Sequence, residues 1–161
     1  MNVVLDIENV DKGNLYYCEP VTNTVMDDSI FVRTGYTNEL MTLNGVYINC
    51  PFSISKVDKY YYKYKYIFEY NQNMDLIDSL INIERTVIGC YNVHNLTPVY
   101  KLRDQLLGLH IRVFEPDECT APILEPGDYN FTLKISGIWQ TGNSCGLTFK
   151  FFSQEKCSAV S

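Results

Sequence analysis

The 161-residue chain contains no run of about eighteen apolar residues, and its N-terminus shows no basic segment leading into a hydrophobic core. The first absence argues against a membrane-spanning helix, the second against a visible signal peptide. If the protein is secreted, Met1 is expected to begin a form whose leader is already gone. Base is also scarce: 13 Lys and Arg face 19 Asp and Glu, for a formal charge of -6 and a pI near 4.8. With no cationic excess for counterion release, nucleic acid is not the expected partner. The local exception is Lys56, Lys59, Lys63 and Lys65, read as a solvated sheet face.

Catalytic and metal-binding patterns are missing as well. There is no G-x-S-x-G, P-loop or dinucleotide fingerprint, and no CxxC pair of the kind used by zinc sites and thioredoxin-like chemistry. Only two histidines occur, His94 and His110. Cys90 and His94 have no second close ligand pair, and Glu115, Asp117 and Glu118 lack EF-hand spacing. No enzyme activity, metal or cofactor is expected. The size predicts one domain over residues 1–161 with a core of its own.

Cysteine is present in even number and spread along the chain: Cys18, Cys50, Cys90, Cys119, Cys145 and Cys157. That distribution reads as a disulfide framework, which requires an oxidising compartment. The sequons at Asn95 (Asn-Leu-Thr) and Asn130 (Asn-Phe-Thr) agree with a secreted or lumenal glycoprotein. The competing reading is a cytosolic protein with six free thiols.

Aromatic residues are abundant and concentrated in Lys59 to Tyr70, KYYYKYKYIFEY. At the two-residue period of a strand, Tyr60, Tyr62, Tyr64, Tyr66, Phe68 and Tyr70 share one face, opposite Lys59, Tyr61, Lys63, Lys65, Ile67 and Glu69. The aromatic face fits an ordinary sandwich core. Its hydroxyls also fit a pocket wall for an apolar ligand with a polar end.

Further strands are predicted around Val3–Ile7, Ser29–Thr34, Leu40–Cys50 with a hairpin at Asn44-Gly45, Leu80–Ile88, His110–Glu115, Tyr129–Ile135 and Cys145–Phe151. Asn71-Gln72-Asn73 and Gly142-Asn143-Ser144 read as turns, and Arg85 interrupts the apolar face of the Leu80 strand. One helix is expected from Pro98 to Leu107, with Thr97 as N-cap and Gly108 in the left-handed conformation after it. About nine strands with one short helix predict an all-β, antiparallel two-layer sandwich of immunoglobulin-like form.

The C-terminal third, Pro122-Ile-Leu-Glu-Pro-Gly-Asp-Tyr129, an alternating strand, a Gly/polar turn and Cys145 on a closing strand, resembles the MD-2-related lipid-recognition family. The likeness is to its GM2-activator-like branch, and the order Gly89-Cys90, short helix, Cys119 follows that branch too. The resemblance implies two sheets splayed around a hydrophobic cavity and a non-enzymatic protein that holds a lipid or other apolar small molecule. It also implies the pairings Cys18–Cys145 and Cys90–Cys119, leaving Cys50–Cys157 as the remainder. The cavity wall is then expected from Tyr62, Tyr64, Tyr66, Phe68, Tyr129, Phe131, Leu133 and Phe149, with Trp139 in a loop at the entrance. The alternative is a secreted protein-interaction module, a decoy or immune modulator, that presents tyrosines and Trp139 to a protein partner.

Overall fold

The computed structural model describes residues 3–22, 29–60, 63–91, 95–114 and 125–153. Two short 3-10 turns, Ile7–Asn9 and Lys12–Asn14, follow the two-residue strand β1 (Leu5–Asp6). Then come β2 (Leu15–Tyr17), β3 (Val21–Thr22), β4 (Ser29–Thr37), β5 (Thr42–Leu43), β6 (Val46–Tyr60) and β7 (Lys63–Phe68). Helix α1 (Tyr70–Tyr91), β8 (Thr97–Val99) and α2 (Lys101–Leu107) precede β9 (His110–Phe114), β10 (Gly127–Thr141) and β11 (Ser144–Ser153).

The fold is mostly β, as the periodicity predicts, but the core is a closed five-stranded barrel in place of the expected immunoglobulin-like sandwich. Two 15-residue strands, β6 and β10, are long enough to change neighbours along their length, and their mutual pairing makes the closure. The first part of β6 pairs antiparallel with β10, from Val46↔Ile135 to Ile54↔Gly127, and its second part pairs with β7. The circuit continues antiparallel from β7 to β9, parallel from β9 to β11, and antiparallel from β11 back to β10. Beyond the barrel, the end of β10 pairs with β4, which carries β2, β3 and β5. Closing a sheet removes its exposed edges, at the price of non-local pairings that no short window of sequence reports.

Several expectations are corrected. Leu80–Ile88 is helix, not strand, and lies inside the 22-residue α1. Its buried residues Asn73, Ile77, Leu80, Ile83, Glu84, Val87 and Ile88 recur at three- and four-residue intervals, the stripe of a helix packed on one side. Arg85 is exposed on that helix. Asn71–Asn73, expected as a turn, lies in the first turn of α1. Asn73 leaves helical geometry (φ -128°, ψ 16°) because its buried amide is bound elsewhere: Oδ1 accepts from the Ser53 N–H at 2.7 Å, and Nδ2 donates to the Ser53 and Glu69 carbonyls.

The aromatic run is likewise not one strand. It ends β6 and returns as β7, with Tyr70 already in α1. The antiparallel register sets Lys59 opposite Tyr64 and places its ammonium 5.7 Å from that ring, away from Lys63 and Lys65. Asn44-Gly45 is a turn, with Gly45 at φ 144°, but β5 pairs with β4 and makes no hairpin with β6. The turn at Gly142 (φ 58°) does join β10 to β11.

The predicted helix is shorter than expected, and its cap is not Thr97, which lies in β8. Glu84 of α1 takes that role. Its Oε2 accepts from Leu102 N–H and its Oε1 from Arg103 N–H, both at 2.9 Å, which satisfies donors that a helix start otherwise leaves open. Burial pushes the Glu84 carboxyl up, and the two amide bonds pull it back down. After α2 the left-handed residue is Leu109 (φ 62°), not Gly108 (φ -77°).

Candidate binding face

Five of the residues expected to line a ligand cavity belong to the packed interior of the barrel. Tyr64, Tyr66, Phe68, Phe131 and Leu133 are buried, and Phe52 and Phe151 join them. Ring centroids lie 4.9 Å apart for Phe52 and Phe68, 4.7 Å for Tyr66 and Phe131, and 6.1 Å for Phe52 and Phe131. Such spacings are those of aromatic side chains in direct contact. Half-buried Tyr129 closes one end, 5.5 Å from Tyr66 and 6.0 Å from Phe131, and its hydroxyl donates to the Glu125 carbonyl. Phe149 is half-buried, 6.1 Å from Phe151. Burial, and the neighbouring phenols of Tyr129 and Tyr64, push the Tyr66 hydroxyl up to about 12. Tyr62 lies outside the described residues.

Trp139 sits within β10, not in a loop. Its indole covers Gly146 across the strand pair, where an added Cβ would come within 2.7 Å of the ring, and the Lys101 ammonium lies 4.9 Å from its centroid. Glycine is needed at 146 for that contact.

Of the expected pairings, the one that lies wholly among the described cysteines is not made. Cys18, Cys50, Cys90 and Cys145 are free thiols, so Cys18 and Cys145 are not joined. Cys119 and Cys157 lie outside the described residues. Burial pushes the Cys50 thiol up to about 12, which keeps it protonated and unreactive near neutral pH. Asn130 is exposed on β10, and exposed Asn95 takes a left-handed backbone (φ 57°) that asparagine tolerates.

One cleft, of about 530 Å³, lies between the N-terminal segment Ile7–Leu15 and the α1 residues Ser79, Asn82, Ile83, Thr86 and Val87. None of the barrel aromatics borders it. Among the described residues, no group of three His, Cys, Asp or Glu side chains is placed to hold a metal ion.

The chemically distinctive surface is the outer face of β6, β7 and β9. With Tyr64, Tyr66 and Phe68 turned inward, Lys63, Lys65 and Ile67 turn outward. Register adds their neighbours. Lys65 stands between Asp58 of β6 and Arg112 of β9, and Ile67 between Lys56 and His110. Lys63 stands between the backbone positions of Tyr60 and Phe114. Lys56, Lys63 and Arg112 are exposed, while Lys65, Ile67 and His110 are half-buried. The carboxylate in this register, Asp58, pairs with Lys56 at 3.6 Å. Among the described residues, Lys65 and Arg112 have no ion-pair partner. Two like charges directly opposite on adjacent strands destabilise a sheet, so this pair is not explained by the fold's own stability.

Sequence reasoning found Lys56, Lys63 and Lys65 but not Arg112. The missed signal was the alternation of His110 and Arg112 with Ile111 and Val113 in the predicted β9. Pairing β9 with β7 required the tertiary fold. Comparison with known proteins brings no further guide to this face: no family model, no curated protein and no solved structure matches the chain.

Proposed function

We propose that the chain is a non-catalytic binding module that captures an anionic partner on the outer face of β6, β7 and β9. The observation that carries this reading is the facing pair Lys65 and Arg112, unneutralised among the described residues and flanked by Lys63 and Lys56, on a chain whose formal charge is -6. A net-acidic chain that gathers cations on one sheet face gains no fold stability from doing so, whereas an approaching anion relieves their repulsion. Architecture supports the location, by analogy of fold alone. Five-stranded Greek-key barrels commonly engage extended ligands on their second and third strands, and β7 and β9 are those strands here.

The expectation of a lipid held between sheets drew on side chains that here pack against one another. The binding-module part of that expectation is kept, and the site moves from the interior to the outside. Retention on immobilised heparin tests the proposal. The wild-type protein is expected to be retained at low salt and released as salt rises, and K65E/R112E is expected to flow through while keeping its circular dichroism spectrum. Equal retention of the two proteins would remove the face from consideration.

A further inference from the structure

We infer that the anionic partner is a single-stranded nucleic acid laid across the β6–β7–β9 face; this rests on the binding-face reading above. Three features of the face select that chemistry over other anions.

The cations form a track, not a cup. Lys63 and Lys65 are separated by two residues along β7, about 6.7 Å, and Arg112 is one strand over, about 4.8 Å. A compact phosphate needs donors that converge on a point, whereas donors spread along and across a sheet meet successive phosphates of an extended chain.

Beside this track, Lys56, Ile67 and His110 make a second row. Ile67 and His110 present an aliphatic side chain and an imidazole ring, both half-buried and so already partly fixed by packing. The His110 ring is anchored through Nδ1, 3.1 Å from the Gly108 carbonyl oxygen. Unpaired bases stack on such rings and apolar surfaces, whereas polyphosphate or a sulfated sugar gains nothing from them.

The number of cations also discriminates. Proteins that hold a duplex mainly by its backbone neutralise about six to ten phosphates. The face offers Lys56, Lys63, Lys65 and Arg112 among its described residues, which falls short of that. An acidic protein partner, in turn, would find half-buried Ile67 as the aliphatic contact of these two rows, where a stable interface needs an apolar centre. A flexible strand of a few nucleotides can confine itself to the basic face.

The test is fluorescence anisotropy of the full chain with a fluorescein-labelled oligothymidylate of about fifteen nucleotides, titrated at several salt concentrations and competed with the same strand as a duplex and with polyphosphate. Binding is expected with a log–log salt slope of about -2 to -3, from three to four phosphate contacts. K65E/R112E should weaken it more than about 10-fold. I67S/H110A should weaken it about 3- to 10-fold with an unchanged salt slope and unchanged heparin retention, the signature of lost base contacts. Three results would overturn the inference and leave the binding face standing: heparin retention without oligonucleotide binding, competition by polyphosphate equal to that by the single strand, or tighter binding of the duplex. Failure of both heparin and oligonucleotide to bind would overturn the face and the partner together.

Discussion

The two faces of β7 share six residues of backbone and obey opposite rules. Inward, Tyr64, Tyr66 and Phe68 are buried against Phe52, Phe131, Ile111 and Val113. Outward, Lys63, Lys65 and Ile67 meet Arg112, His110 and Lys56, with like charges set opposite each other. The inner face serves stability and tolerates no hydrophilic change. The outer face sets two like charges opposite each other, an arrangement that by itself costs a sheet some stability.

The largest effect that separates the two faces should come from Phe52, which contacts Phe68, Phe131 and Phe151 at the barrel centre. Phe52→Ala is expected to cost about 3–5 kcal/mol, read from the urea midpoint, because a closed aromatic interior cannot collapse to fill the void. An unchanged midpoint would show that the interior is loose enough to hold a ligand, and would return the lipid reading to the front.

Next in size is Glu84, a fully buried carboxylate outside the barrel that joins α1 to α2. Glu84→Ala leaves the Leu102 and Arg103 amides without an acceptor and is expected to cost about 2–3 kcal/mol, with faster hydrogen exchange at those two amides. Glu84→Gln retains one acceptor oxygen and should lie between. Burial raises this carboxyl in the folded state, so as the pH falls the folded wild type takes up a proton before the unfolded chain does and gains stability by it. Glutamine has no such proton to bind. The deficit of Glu84→Gln relative to wild type should therefore widen as the pH falls through the raised value toward the ordinary carboxylate range, and a deficit that narrows instead would show that the charged form is the one the site favours.

The smallest expected change lies on the outer face. Arg112→Glu converts the Lys65 pairing from like to opposite charge, so thermal or urea stability should stay within about 0.5 kcal/mol of wild type and move upward. Retention on heparin should fall in the same protein. A clear destabilisation instead would mean that Arg112 supports the fold, and the contrast between the two faces of β7 would disappear.

Alternation within single strands was legible in the amino-acid order. Tyr64, Tyr66 and Phe68 inward against Lys63 and Lys65 outward, the buried alternate residues of β10, and the Gly142 turn all follow from two-residue periodicity and from the backbone freedom of glycine. Absence of the catalytic motifs could be read from residue order and spacing, and the low cationic content from composition alone. Leu80–Ile88 misled because a nine-residue window rich in isoleucine contains an alternating pattern as well as part of a helical one. Only the longer stripe back to Asn73 separates them, and its first member is polar.

Which side chains share a face of a strand is thus a local matter, settled by covalent geometry within a few residues and therefore readable from the chain alone. Which faces meet is not. Closure of β6 onto β10, capping of α2 by Glu84 and the juxtaposition of Lys65 with Arg112 each join segments far apart along the chain. Their pairing is settled by the packing of the whole barrel, and a net charge averaged over the chain does not reveal that one face carries the opposite sign.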